Sequence, residues 1–162
     1  VGVVGGDKSI ARASTSYPGS WSTTIPEDVN DTRYMFIRSI NNVLFVMKFN
    51  YTNVGGTYTY YVKLCVLSDD ATEITETNLS WTGDLANNNI PNPRNIIWMP
   101  DWGKFALLKE SSLCVSNDGL TWECLYQPGF TTSQYDTFDG AMYIPGDGFY
   151  AKASGYVYYA PY

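Results

Sequence analysis

Apolar positions in this chain fall into short runs without helical spacing. Tyr34-Met35-Phe36-Ile37, Val43-Leu44-Phe45-Val46-Met47, Tyr60-Tyr61-Val62-Lys63-Leu64-Cys65-Val66-Leu67, Ile96-Ile97-Trp98-Met99, Leu113-Cys114-Val115, Cys124-Leu125-Tyr126 and Tyr156-Val157-Tyr158-Tyr159 are each too short for an ordinary helix. All are rich in β-branched and aromatic residues, which predicts strands. Val43 to Phe49 is apolar at both alternate sets of positions, the pattern of a strand covered on two faces. Polar, Gly- or Pro-bearing stretches separate the runs. Residues 25–31 with Pro26 predict a surface loop, Asn41-Asn42 a turn, residues 50–59 around Gly55-Gly56 an extended hairpin turn, and residues 87–93 a linker.

The stretch Ser116-Asn117-Asp118-Gly119-Leu120-Thr121-Trp122 lies between two of these runs and suits a reinforced turn. Asp118 and Ser116 can bond the turn backbone, Gly119 can take a positive φ, and Thr121 and Trp122 suit the returning strand. It resembles the Asp-box, or bacterial neuraminidase repeat, roughly Ser-x-Asp-x-Gly-x-Thr-Trp, with one residue missing between Asp118 and Gly119. Shortened forms of this kind are expected in propeller-like segments of bacteriophage tail and fibre proteins. The resemblance implies a hairpin between the third and fourth strands of a blade, with Ser116, Asp118, Gly119, Thr121 and Trp122 in structural roles away from any active centre. A degenerate match, lacking the Asp, runs from Ser14 to Trp21 through Pro18-Gly19, and Ser68-Asp69-Asp70-Ala71-Thr72-Glu73 stands where a further box would lie.

Two internal echoes accompany the box. Leu64-Cys65-Val66 and Leu113-Cys114-Val115 are the same tripeptide, each followed closely by Ser and Asp, and Pro100-Asp101-Trp102-Gly103-Lys104-Phe105-Ala106 can be laid over Pro145-Gly146-Asp147-Gly148-Phe149-Tyr150-Ala151. Units of about 45 to 50 residues with short strands match propeller blades. The expected fold is therefore all-β, with about three propeller-like blades in an incomplete ring over approximate units 9–32, 33–86, 94–137 and 138–162, the first and last partial. A β-sandwich with similar hairpins is the alternative. Open end sheets need cover, so further chain, a homo-oligomer or neighbouring proteins are expected to supply it. The start at Val1 rather than Met fits a processed chain or a piece of a longer one.

Composition narrows the chemistry. A net charge of −6 without a basic run argues against a nucleic-acid partner, and no apolar run or signal-like start points to a membrane. The absence of His removes the Ser-His-Asp triad and most zinc sites. Of the three cysteines, Cys114 and Cys124 lie on opposite arms of the proposed hairpin, either bridged or as buried thiols. A sialidase would need an arginine cluster, yet only Arg12, Arg33, Arg38 and Arg94 exist, and Arg33 and Arg38 would point to opposite faces of one strand. Glu73, Glu76, Glu110 and Glu123 form no marked pair for glycoside hydrolysis, and Asp69-Asp70 and Asn117-Asp118 lack the spaced acidic loop of a calcium motif. Three sequons at Asn30, Asn50 and Asn78 carry no weight in an Asn/Thr-rich chain.

Binding is better supported than catalysis. Trp81 and Trp102 stand beside polar loop residues and are the candidates for ligand contact, whereas Trp21 and Trp122 follow boxes and should pack between sheets. The resulting expectation is a non-enzymatic virion structural or adhesion module of a bacteriophage, such as a tail fibre, receptor-binding or decoration protein. It would have no cofactor or metal, and its partners would be copies of itself, other virion proteins or a cell-surface glycan. A secreted carbohydrate-binding propeller lectin is the alternative, and a glycosidase fragment comes third.

Overall fold

A computed structural model describes residues 2–5, 10–13, 21–25, 33–84, 96–109, 112–126, 138–153 and 156–161. The fold is all-β, and among the described residues there is no helix. The first sheet contains β1 (Gly2–Gly5), β2 (Ile10–Ala13) and β3 (Trp21–Ile25); the second contains β4 (Arg33–Ile40), β5 (Val43–Val54), β6 (Thr57–Leu67) and β7 (Ile74–Asp84). The third contains β8 (Ile97–Met99), β9 (Lys104–Lys109), β10 (Ser112–Ser116) and β11 (Glu123–Tyr126), and the fourth β12 (Phe138–Ile144), β13 (Gly148–Ala153) and β14 (Tyr156–Pro161). Every sheet is an antiparallel meander of consecutive strands, and none closes on itself.

Local chemistry accounts for the turns. Asn41 and Asn42, at φ 45° and 62°, join β4 to β5, and Gly55 and Gly56, at φ 61° and 88°, join β5 to β6. Both pairs supply the two successive positive φ values that a two-residue hairpin needs to match strand twist. The long turn expected over residues 50–59 contracts to the glycine pair, because β5 and β6 stay in register from Leu44↔Leu67 to Val54↔Thr57. A paired backbone ladder holds polar residues in strands that hydrophobic patterning overlooks. The strand Gly2–Gly5 likewise precedes the expected start at residue 9, since four residues are too short to show a period.

Burial occurs on both faces of the middle sheets. Along β5, Phe45, Met47 and Phe49 point into one cluster with Val62 and Leu64 of β6, while Val46 joins Cys65, Leu67 and Tyr34 on the other face. The first cluster also receives Phe105 and Leu107 of β9, Cys114 of β10, and Trp122, so it is the seam between the second and third sheets. Phe45 meets Phe105 edge-on at 5.3 Å and Trp122 at 6.3 Å between ring centroids. The opposite face of the third sheet, with Met99, Ala106, Leu113 and Val115, packs on Phe149 of β13. Each large side chain buried in these seams contributes roughly 1.5–3 kcal/mol, which is why two-faced apolar strands stack in series.

The sheets meet through their first strands as well, with β1 against β4 and β8 against β12. Leu64-Cys65-Val66 and Leu113-Cys114-Val115 both lie on the third strand of their sheet. Cys114 faces the preceding sheet, whereas Leu64 and Leu113 face the following one. Cys65 lies on the opposite face of its strand from Leu64, as Cys114 does from Leu113. The two-turn overlay needs one adjustment. Met99↔Lys104 and Ile144↔Gly148 close turns of different length, so the buried aromatic answering Phe105 is Phe149, and the overlaid Tyr150 is only half-buried. The degenerate box at residues 14–20 and the linker at 87–93 lie outside the described residues.

Candidate functional site

Two features emerge: the polar turn at Asp118, and a groove on the side of the third sheet that faces β14. In the turn, Asp118 Oδ1 accepts the Leu120 N–H at 2.8 Å, the Thr121 N–H at 2.9 Å and the Ser116 hydroxyl at 3.0 Å. Ser116, itself buried, accepts the Gly119 N–H at 2.9 Å, and the Trp122 indole N–H donates to the Gly119 carbonyl at 2.8 Å. The Thr121 and Leu120 amides, in that order, hold the Asp118 carboxyl below the usual carboxylate range. Gly119 sits at φ 79° with the position of a Cβ only 2.9 Å from the Phe45 ring, so its missing side chain is required twice over. From the neighbouring sheet, Asn78 donates to the Trp122 carbonyl at 2.8 Å and accepts its N–H at 2.9 Å.

Cys114 and Cys124, opposite each other in the β10–β11 register, form a disulfide just below this turn. The third cysteine, Cys65, is buried, and burial pushes its thiol up to about 12, leaving it unreactive at neutral pH. A second Ser-x-Asp turn joins β6 to β7. There Asp70 Oδ1 accepts from the Ser68 hydroxyl at 2.6 Å, the Thr72 hydroxyl at 2.7 Å and the Thr72 N–H at 3.2 Å. Ser68 and Thr72 depress the Asp70 carboxyl to about 2. Ala71 takes the positive φ, 57°, in this turn.

Trp102 and Trp81, the two candidates for ligand contact, belong to different sheets. Trp102 is half-buried in the β8–β9 turn, edge-on to Tyr143 at 6.3 Å. Trp81 lies in β7 opposite Val62, and its side chain is outside the described residues. Trp102 borders a groove of about 360 Å³ whose other walls come from Lys104, Leu113, Val115, Leu125 and Tyr159. Asp101 and Asp147 brace the rings on this side. Asp101 Oδ2 accepts the Tyr143 hydroxyl at 3.0 Å and the Gly146 N–H at 2.9 Å. Asp147 receives the Tyr150 hydroxyl at 2.6 Å and the Tyr159 hydroxyl, shared between its backbone oxygen at 3.1 Å and Oδ1 at 3.0 Å. The Asp147 carboxylate raises both phenols, Tyr150 to about 12.

Comparison of the chain with protein-family models, curated proteins and solved structures finds no match. The geometry therefore stands alone.

Among the described residues no group of three His, Cys, Asp or Glu side chains is placed to hold a metal ion, and no helix is long and apolar enough to cross a membrane. Of the acids weighed for hydrolysis, Glu76 is bound to Lys48 at 3.0 Å and Lys63 at 3.6 Å, Glu123 borders the hollow beside Asp118, and Glu110 is outside the described residues. Sequence reading missed Lys104, Tyr159, Asp101, Asp147 and Asn78 as members of these two sites. Asp101 and Asp147 each lie within one of the overlaid turns, which was the available signal for the braces; the overlay did not mark Lys104 as a groove residue, and Asn78 stood out only as a sequon.

Proposed function

We propose that this chain is a non-enzymatic structural or adhesion module of a bacteriophage particle, built from propeller-like blades stacked in series. The observation that carries the reading is the repeated arrangement of the middle sheets. Each has four consecutive strands, a Ser-x-Asp turn between the third and fourth, and apolar residues on both faces. This is how blades of an Asp-box propeller would be arranged, and the outer faces of the first and last described sheets are where further chain, copies of the chain or other virion proteins would pack. Location in the virion follows from the same analogy, as does the absence of catalysis. Native mass measurement of the purified protein tests it: a closed homo-oligomer, or a stable complex with another particle protein, is the expected result, and a strictly monomeric chain inert towards particle proteins would overturn it.

The groove favours a second reading, a carbohydrate-binding lectin of the propeller type, because Trp102 and Tyr159 border it together. Specific glycan binding by a monomeric chain on a glycan array would select that reading. Hydrolysis of a sialoside or polysaccharide, lost on replacing one carboxylate, would instead revive a glycosidase.

A further inference from the structure

The fourth strands of the two middle sheets are held in different ways. In the second sheet β7 runs for 11 residues, stays paired with β6 from Leu67↔Ile74 to Thr59↔Asp84, and buries Thr77 and Leu79. Its Glu76 also joins Lys48 of β5 and Lys63 of β6, at 3.0 and 3.6 Å. In the third sheet β11 has 4 residues, paired with β10 from Val115↔Glu123 to Ser112↔Tyr126, and neither Glu123 nor Cys124 is buried. Backbone bonds at a solvated edge scarcely offset the entropy of ordering so short a strand. What β11 has instead is the bond from Cys124 to Cys114.

The two ends of that bridge face different surroundings. Cys114 is fully buried in the seam between the second and third sheets, whereas Cys124 is exposed on the edge strand. An attacking thiolate therefore reaches only the Cys124 sulfur. It forms a mixed disulfide there, the Cys114–Cys124 bond breaks, and Cys114 leaves with the electron pair and takes a proton from water, because the apolar seam disfavours its charge. The second thiol of a dithiol then attacks the reductant's own sulfur in the mixed disulfide, closing the reductant as a disulfide and expelling Cys124, which is protonated in turn. Two electrons pass from dithiol to protein, and both cysteines end as thiols.

Opening the bridge leaves the turn before β11 in place. Trp122 stays buried in the seam, Asn78 still holds its backbone N–H and carbonyl, and Gly119 still sits against Phe45, and none of these contacts passes through sulfur. We infer that Cys114–Cys124 is a redox-operated clasp: a dithiol acting at Cys124 frees β11 beyond the Trp122 anchor and uncovers the edge of β10, while the seam stays closed. The uncovered edge of β10 offers its amides and carbonyls to another strand, so the module changes its pairing surface between oxidising surroundings and those that keep dithiols reduced. The inference goes beyond the assembly reading and does not rest on it.

The test is hydrogen exchange of the isotope-labelled full chain followed by NMR, before and after addition of dithiothreitol at neutral pH without denaturant. Reduction is expected to speed exchange of the β11 amides, and of the β10 amides that pair with them, by about tenfold or more, and to leave the Gly119 and Trp122 amides and those of β5 unchanged. N-ethylmaleimide added to the reduced, folded chain should label Cys124 before Cys65 or Cys114. Cys124→Ser, at the exposed end of the bridge, should show the open pattern without reductant. A bridge that resists dithiothreitol until the protein is unfolded, β11 amides as protected after reduction as before, or protection lost at Trp122 and β5 together with β11 overturns the inference. Labelling of Cys114 as fast as Cys124 or faster does so as well. None of these readouts depends on assembly or on a glycan.

Discussion

The turns at Asp70 and Asp118 use the same knot in two different settings. In each, a Ser two residues before an Asp donates its hydroxyl to the carboxylate, the carboxylate accepts from the returning chain's backbone, one amide at Asp70 and two at Asp118, and the residue after the Asp has a positive φ. Each joins the third strand of its sheet to the fourth. At Asp118 the knot is fastened to the core: Gly119 presses on Phe45, Trp122 fills the seam, Asn78 grips the Trp122 backbone and a disulfide ties the strands below. At Asp70 Thr72 closes the polar knot, and the position opposite Cys65 is Glu76 rather than a second cysteine. Polar bonding specifies the shape of such a turn, and apolar anchorage decides how much stability depends on it.

Breaking the anchorage should therefore have the largest effect. Trp122→Ala removes a buried ring from the seam between two sheets and should cost about 4 kcal/mol, read as a lower denaturant midpoint. Reduction of Cys114–Cys124 releases a short loop and should cost about 3 kcal/mol, with Cys114→Ser/Cys124→Ser insensitive to reductant. Gly119→Ala forces a methyl towards Phe45 at a left-handed φ and should cost about 2–3 kcal/mol; an unchanged melting point would show that the turn is not seated on that ring.

Smaller effects sharpen the contrast. Asp118→Ala should lower stability by about 1 kcal/mol through three lost hydrogen bonds, measured by chemical denaturation. Both carboxyls are depressed in the folded chain, so below the ordinary carboxylate range the unfolded chain binds more protons and stability falls with pH. For Asp70 this loss runs from its unperturbed value near 3.8 down to about 2, and Asp70→Asn should flatten the stability curve there. Ala71→Gly should be the mildest, within about 0.5 kcal/mol, because relief of the left-handed alanine offsets the added freedom of the unfolded chain.

Much of the architecture was legible in the residues. Apolar residues at both alternate sets of positions along Val43–Phe49 announced two covered faces, Asn41-Asn42 announced a turn, and the Ser-x-Asp spacing placed a hairpin at residues 116–122. The long polar strands around Gly55-Gly56 were not legible, since their order comes from backbone pairing that leaves no hydrophobic trace. Trp102 was legible as a candidate because of its polar surroundings, but Tyr159 joins it only through a groove between strands distant in sequence.

The amino-acid sequence alone determined that this chain would be all-β and where its reinforced turn would form, because strand period, turn chemistry and left-handed backbone positions are properties of neighbouring residues. Only the tertiary structure decided which face each strand shows to which sheet, that Cys114 reaches Cys124 while Cys65 meets Glu76, and that Trp102 and Tyr159 border one groove. Those outcomes depend on register and on packing between sheets, and neither is encoded in any short stretch of chain.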